Sequence, residues 1–532
     1  MYNRRTVIKG ALATPLLWLG STQGGRAEFA EDYGVASGEP RPDSVVLWTR
    51  VAPAFQTGGP VVVSYQVSPG EDFQVITASG QVETDSNRDY TVKVLVGGLA
   101  PFTRYYYRFS TTTGYQSVIG RTKTAPAPES EPAVLKFAYV SCQDYTQGYY
   151  TVYAAKAADD LDFCVHLGDN IYETGAAGFQ NGQVREDTIG GGEAVSLAEY
   201  RQKYQLYLSD PNFREVRRLF PWVYLWDDHE VFNNYAGTDL SAEERARQTA
   251  GYTAFLEYMP VEPVTPLVTV EGVTSVRLFR QIGFGSLIEL YVLDERQYRD
   301  GVACERDFAT LACSELDNPE RTMLGVEQKN WLKSQLSASP VRWKVLLNEV
   351  MMMRFEAVNL DPRARFKHLP PAFFDAPLAD QGFYINLDAW DGYPAERTEL
   401  LEFIRDEGIR NVVVWTGDIH NCYAGVLRPN FSNPQSPAVA VEVVGGSVSS
   451  AGVYELVGNI DLTSLGTRVL QRANPHIQYL DLRYHVYTRV EVTPAAMQVS
   501  YRAVESITKT TSSSFTLQTF TIPDNQAHLI PT

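Results

Sequence analysis

Four apolar runs in this chain stop abruptly at residues that bind metals. They are Phe137-Ala-Tyr-Val-Ser-Cys142, Phe163-Cys-Val-His-Leu-Gly-Asp169-Asn-Ile-Tyr172, Trp222-Val-Tyr-Leu-Trp-Asp227-Asp228-His229-Glu230 and Val412-Val-Val-Trp-Thr-Gly-Asp418-Ile-His420. A strand buried on both faces has this form. In open α/β sheets a ligand sits beyond the carboxyl ends of the strands. Four strands ending in thiol, carboxylate, phenol and imidazole therefore predict one convergent site, and an enzyme.

The residue types say what such a site could do. The two oxygens of Asp169 can bind separate cations, so this carboxylate can bridge a pair. Tyr172, three residues on, offers a hard phenolate suited to a trivalent ion such as Fe³⁺. The competing structural role is a helix cap for Asp169 with Tyr172 packed beneath it. Asp227 and Asp228 are costly to bury without a counter-cation, so one of them should ligate metal. His229 can stay beside the metals as the acid that protonates or hydrogen-bonds a leaving oxygen. A solvated turn with a helix cap is the alternative for this segment. Asp418 and His420 can project to one side of their turn. Cys142 completes the set as a thiolate whose pKa a cation lowers. Arg296, with Asp294 and Arg299, stands at another strand end and could fork onto two phosphate oxygens, or belong to a salt-bridged loop. Asn348 could lend an amide oxygen, and Asp391 is preferred to Asp388 as a further carboxylate.

The elements that must position these groups follow from pattern. The 532 residues exceed one compact core and predict two domains. Residues 1–27 have a basic start with Arg4 and Arg5, a short apolar run and small residues, the form of a twin-arginine export signal. The route implies a bacterial protein, periplasmic or secreted, with the export machinery as partner. Residues 28–125 read as an all-β sandwich of fibronectin or immunoglobulin type. Pro-rich 126–133 reads as a linker. From 134 to 532 strands alternate with helices at about 148–159, 196–208, 241–258, 324–338 and 396–408, predicting an α/β mixed sheet with helices on both faces. The stretch after about 505 fits no element from pattern.

A net charge of −17 argues against a nucleic-acid partner. No run in the mature chain is long and apolar enough for a transmembrane anchor. Of five cysteines, Cys304 and Cys313 could close a short loop, Cys164 reads as core, and the odd count leaves a free thiol. His166 reads as core, and His368 lacks a privileged setting.

The combination resembles the PhoD-type alkaline phosphatase family within the metallophosphoesterases. The matching motifs are Ser141-Cys-Gln143, His166-Leu-Gly-Asp-Asn-Ile-Tyr-Glu173, Trp226-Asp-Asp-His-Glu-Val231, Asp294-Glu-Arg-Gln-Tyr-Arg299, Trp390-Asp-Gly-Tyr393 and Thr416-Gly-Asp-Ile-His-Asn421. The resemblance implies Fe³⁺ at the Cys142, Asp169 and Tyr172 positions, with Ca²⁺ completing the cluster. Asp228 falls where broader relatives carry a metal-binding Asn, and Asp418 where many carry His. More oxygen ligands favour Ca²⁺ over a softer ion. The implied activity is metal-dependent hydrolysis of phosphate mono- or diesters, with His229 and Arg296 stabilising the transition state. Two alternatives stay open: a phospholipase D-like phosphodiesterase, and a non-catalytic protein that binds phosphate esters.

Overall fold

The structure, a computed structural model, describes residues 32–175, 183–187, 192–270, 272–306, 308–358, 383–433 and 435–532. Residues 1–27, read above as an export signal, and His368 lie outside the described residues.

Two large sheets form the centre. The ten-stranded sheet runs in the order Ile530–Pro531, Ser514–Pro523, Ala496–Val504, Val486–Val492, Leu135–Val140, Phe163–Leu167, Pro221–Leu225, Val35–Gly38, Ser44–Arg50, Thr91–Gly97. The seven-stranded sheet runs Arg280–Phe284, Ile288–Val292, Trp343–Asn348, Val412–Thr416, Ala440–Gly445, Cys422–Leu427, Ile477–Asp481. The two pack face to face through one apolar cluster. Phe137, Phe163 and Val223 come from the first sheet, and Leu290, Val345 and Trp415 from the second. Helices cover both outer faces. Thr151–Lys156, Leu197–Leu208, Pro211–Leu219 and Ala242–Tyr258 lie over the larger sheet, and Gly325–Ala338 and Pro394–Asp406 over the smaller. The result is four layers, helix–sheet–sheet–helix. It explains why the central strands are apolar on both faces: each is covered twice.

Local signals set the helix starts. Ser196 with Glu199, and Ser241 with Glu244, form capping boxes at the Leu197–Leu208 and Ala242–Tyr258 helices. The Pro211–Leu219 helix begins on Asp210, whose carboxylate caps the amides of Asn212 and Phe213.

The N-terminal β region has its own core, including Val45, Leu47, Val63, Val67, Tyr107 and Phe109. It is not a tethered module, however. Val35–Gly38 pairs in parallel with Pro221–Leu225, so three of its strands extend the ten-stranded sheet. Trp48 Nε1 donates to the Glu257 carbonyl at 2.8 Å, tying the seam to a helix of the other region. Residues 126–133 carry no regular element, yet they are docked: the Ser130 carbonyl accepts from Ser286 N at 2.8 Å. The tail completes the larger sheet, Ser514–Pro523 pairing with Ala496–Val504. A disulfide joins Cys304 and Cys313, while Cys142, Cys164 and Cys422 are free and buried. Among the described residues no helix is long and apolar enough to cross a membrane.

Candidate metal centre

The carboxyl ends of parallel strands from both sheets meet at one point. Close approach requires glycine at two of them. A Cβ on Gly168 would lie 2.5 Å from the Cβ of Asp227, and one on Gly417 would lie 2.9 Å from that of Ser141. At these strand ends the chain turns through the left-handed region at non-glycine residues: Cys142 (φ 57°), Asp169 (φ 57°), Asp418 (φ 63°) and His420 (φ 59°). This conformation is uncommon for side chains with a Cβ and gathers at functional sites. Here it turns four chemically active side chains back over the strand ends.

Two groups of ligand-type atoms result. Cys142, Asp169 and His420 form one, and Asp169, Asp228 and His229 the other, with the atoms of each group within 4.8 Å of one another. Asp169 belongs to both. Tyr172 joins the first, its hydroxyl donating to Asp169 Oδ2 at 2.6 Å and standing 3.0 Å from His420 Nε2. His420 Nδ1 donates to the Ala451 carbonyl at 2.8 Å, which leaves the Nε2 lone pair facing the cluster. Burial pushes this imidazole down to about 4, keeping it neutral. Ser450 Oγ donates to the Tyr172 hydroxyl at 2.8 Å.

The second group is oriented from outside. His229 Nδ1 stands 2.6 Å from Glu173 Oε2, and its ring lies 4.1 Å from that of Tyr172. Burial opposes the imidazolium, but Glu173, Asp228 and Asp169 together hold its pKa well above the usual histidine range. The Asp228 carboxylate accepts from Asn234 N at 2.6 Å. Burial opposes its ionisation too, and Arg296, His229 and that amide outweigh the penalty. Glu230 receives the amides of Asp169, Asn170 and Asp227, so one side chain fixes two strand-end loops.

The donor set fits metal ions. Asp169 Oδ1 and Asp227 Oδ2 are buried without a hydrogen-bond partner. Burial, with Asp228, Asp227 and Glu230 nearby, drives the Asp169 pKa well up, and burial beside Asp169 does the same to the Cys142 thiol. Packed anionic donors of this kind are stable as anions only with cations among them.

Three expectations change. Arg296 does not face an open site. It is fully buried, and its guanidinium is committed to Asp227, to Asp388 at 2.6 Å and to Asp418 at 3.3 Å. These three carboxylates claim its donors before any phosphate can, and Asp228 lies 3.7 Å from it as a fourth negative charge. Asp391 stands apart, paired with Arg397 at 2.6 Å and accepting from Phe355 N at 2.7 Å. Asp388 takes the expected place, bridging Arg296 and Arg299. The Asn348 amide is used inside the fold, its oxygen accepting from Trp390 Nε1 at 3.2 Å and its nitrogen donating to Thr416. Asp418 reaches the cluster through Arg296. Burial raises it to about 7, against the pull of that arginine. Pattern alone passed over Glu173, Glu230 and Ser450. The two glutamates stand inside the recognised motifs, whereas Ser450 carries no sequence signal.

Comparison with known proteins agrees with this geometry. Residues 137–501 match the family model described as PhoD-like phosphatase, and residues 19–126 match its N-terminal domain. Alkaline phosphatase D of Bacillus subtilis (strain 168) is 36% identical over 509 residues, covering 93% of this chain and 81% of the relative. A solved structure titled "Structure of PhoD" superposes with a TM-score of 0.83 at 33% identity, covering 96% of this chain and 93% of the other.

Proposed function

Because the chain belongs to the PhoD-like phosphatase family and is a metal-dependent phosphoric ester hydrolase, we propose that the two groups sharing Asp169 are its metal centre. The observation that carries this reading is the shared carboxylate itself, with a buried, unpartnered Oδ1. Cys142, Asp169, Tyr172 and His420 offer thiolate, carboxylate, phenolate and imidazole, a set suited to Fe³⁺. Asp228, grouped with Asp169, and Asp418, held through Arg296, offer hard oxygens suited to Ca²⁺. When bound, such ions supply Lewis-acid neutralisation of phosphate charge and acidify water. The four-layer core supports placement in the metallophosphoesterase superfamily, with catalysis in residues 134–532 and the 28–125 sandwich as lateral support.

The chain's own residues do the rest. Glu173 holds Nδ1 of His229, and the imidazolium is the acid that protonates the departing oxygen. Arg296 is a positioning residue that sets the carboxylates of Asp227, Asp388 and Asp418. Ser450 and the Ala451 carbonyl orient Tyr172 and His420. The binding-protein alternative gives way, since the relatives are phosphatases over most of the chain.

Assay on p-nitrophenyl phosphate and its bis-ester, with metal content measured before and after chelation, tests the reading. Loss of turnover with loss of iron and calcium, and recovery on their return, is expected. Full turnover of metal-free protein would overturn it. The paired Arg4 and Arg5 support twin-arginine export to the periplasm or beyond. Replacing both with lysine should retain active enzyme in the cytoplasm, and unaltered export would remove that assignment.

A further inference from the structure

The segment that orients His420 continues into an apolar surface. Leu456 follows Ala451 by five residues, at most ~18 Å of extended chain. Leu456 (57% exposed), which ends the Val453–Leu456 helix, and Val457 and Ile460 (57%), between it and the Thr463–Ala473 helix, lie in the open. On the second helix Leu465 (50%) and Val469 (49%) are exposed as well. Single exposed apolar residues are ordinary, but five within fourteen positions mark an interaction surface.

The helix that carries two of them is built with two faces. Gly466 and Ala473 are buried, Gly466 against Leu480 and Leu482. The exposed stripe flanking that face is Leu465, Arg468, Val469 and Arg472, at the i, i+3, i+4, i+7 spacing of one helix side. Arg468 and Arg472 are exposed and form no ion pair among the described residues. The nearby acids are already engaged, Glu455 with His485 and Asp461 with Arg483. Apolar side chains interleaved with arginines on an exposed helix face match an anionic lipid surface: the apolar groups enter the headgroup boundary while the guanidinium groups meet phosphate. The overall charge of −17 repels such a surface at a distance, so this local pair supplies the electrostatic match.

We propose that the face formed by Leu456, Val457, Ile460, Leu465 and Val469, flanked by Arg468 and Arg472, docks the protein on anionic lipid bilayers. Docking there would present headgroup phosphodiesters to the neighbouring cluster. That consequence rests on the proposed metal centre, whereas the docking itself does not. Sedimentation with phosphatidylglycerol-containing vesicles, against pure phosphatidylcholine vesicles, reads the docking without turnover. The intact protein should sediment with the anionic vesicles. Leu465→Ser with Val469→Ser should abolish this. Arg468→Gln with Arg472→Gln should weaken it by about thirtyfold. Turnover of soluble p-nitrophenyl phosphate, measured on the same samples, should be unchanged in both variants and shows that they are folded. Equal sedimentation with both vesicle types, no sedimentation, or unaltered sedimentation of the variants would overturn the proposal. So would a concentration-dependent dimer broken by the same substitutions, which would assign the face to a second copy.

Discussion

Glu295 and Glu349 exchange carboxylates across two neighbouring parallel strand ends. Glu295 Oε2 accepts from the amides of Glu349 at 3.1 Å and Val350 at 3.0 Å, and Glu349 Oε2 accepts from those of Glu295 at 2.9 Å and Arg296 at 3.0 Å. Each side chain thus caps the loop that carries the other, and the loop of Glu295 carries Arg296. Both carboxyls are buried, and burial lifts Glu295 to about 8 and Glu349 well above the usual range.

This exchange predicts a difference between two substitutions. Glu349→Gln keeps an oxygen for both amides, so its stability should lie within about 1 kcal/mol of the parent. Glu349→Ala strands two buried N–H groups and should cost about 2–5 kcal/mol. Urea unfolding of the two variants checks it. Equal losses would show that the carboxylate charge, and not its acceptor geometry, matters.

Asp169 stands in both ligand groups, so Asp169→Asn should lower kcat by about 10³-fold or more, with KM changing far less. Metal analysis should find at least one class of ion reduced. A near-parental kcat with full metal content would refute the bridging role.

The buried strand ends were legible because their chemistry is written in consecutive residues. An apolar run, a glycine and a cluster of ligands survive any uncertainty about the fold. The fusion of sandwich and core was not legible. It depends on the four residues Val35–Gly38 finding Pro221–Leu225, a pairing far apart in sequence and without local signal. Asp388 and Asp391 could not be separated by pattern either. They lie three residues apart, and the choice between them depends on where Arg296 and Arg397 come to rest. For Arg296 itself, sequence shows a cation at a strand end but not the carboxylates from three other segments that surround it. The helix at Pro211–Leu219 was legible in principle, since Asp210-Pro211 is a start signal.

His229 makes a prediction that separates leaving groups. Nitrophenolate departs without a proton, whereas an alkoxide needs one. His229→Gln should therefore slow hydrolysis of an alkyl phosphate by about 10²-fold or more and that of p-nitrophenyl phosphate much less. Equal slowing of both substrates would recast His229 as a group that only orients Asp228.

Lys156 predicts a pH dependence of stability remote from the metal centre. Its ammonium is buried 3.5 Å over the ring of Trp222, beside Cys164, and burial lowers its pKa from 10.5 to about 8. Below pH 8 both the folded and the unfolded chain carry the proton, and the folded state bears the full desolvation cost. Between 8 and 10.5 the unfolded chain holds a proton that the folded chain has released, so stability rises with pH through that window. The full rise is on the order of 3 kcal/mol. Lys156→Met keeps the aliphatic stem and removes the charge. It should raise Tm at pH 7, and the gain should shrink steadily toward pH 10. A Tm difference independent of pH would show instead that the ammonium over Trp222 is stabilised as well in the fold as in water.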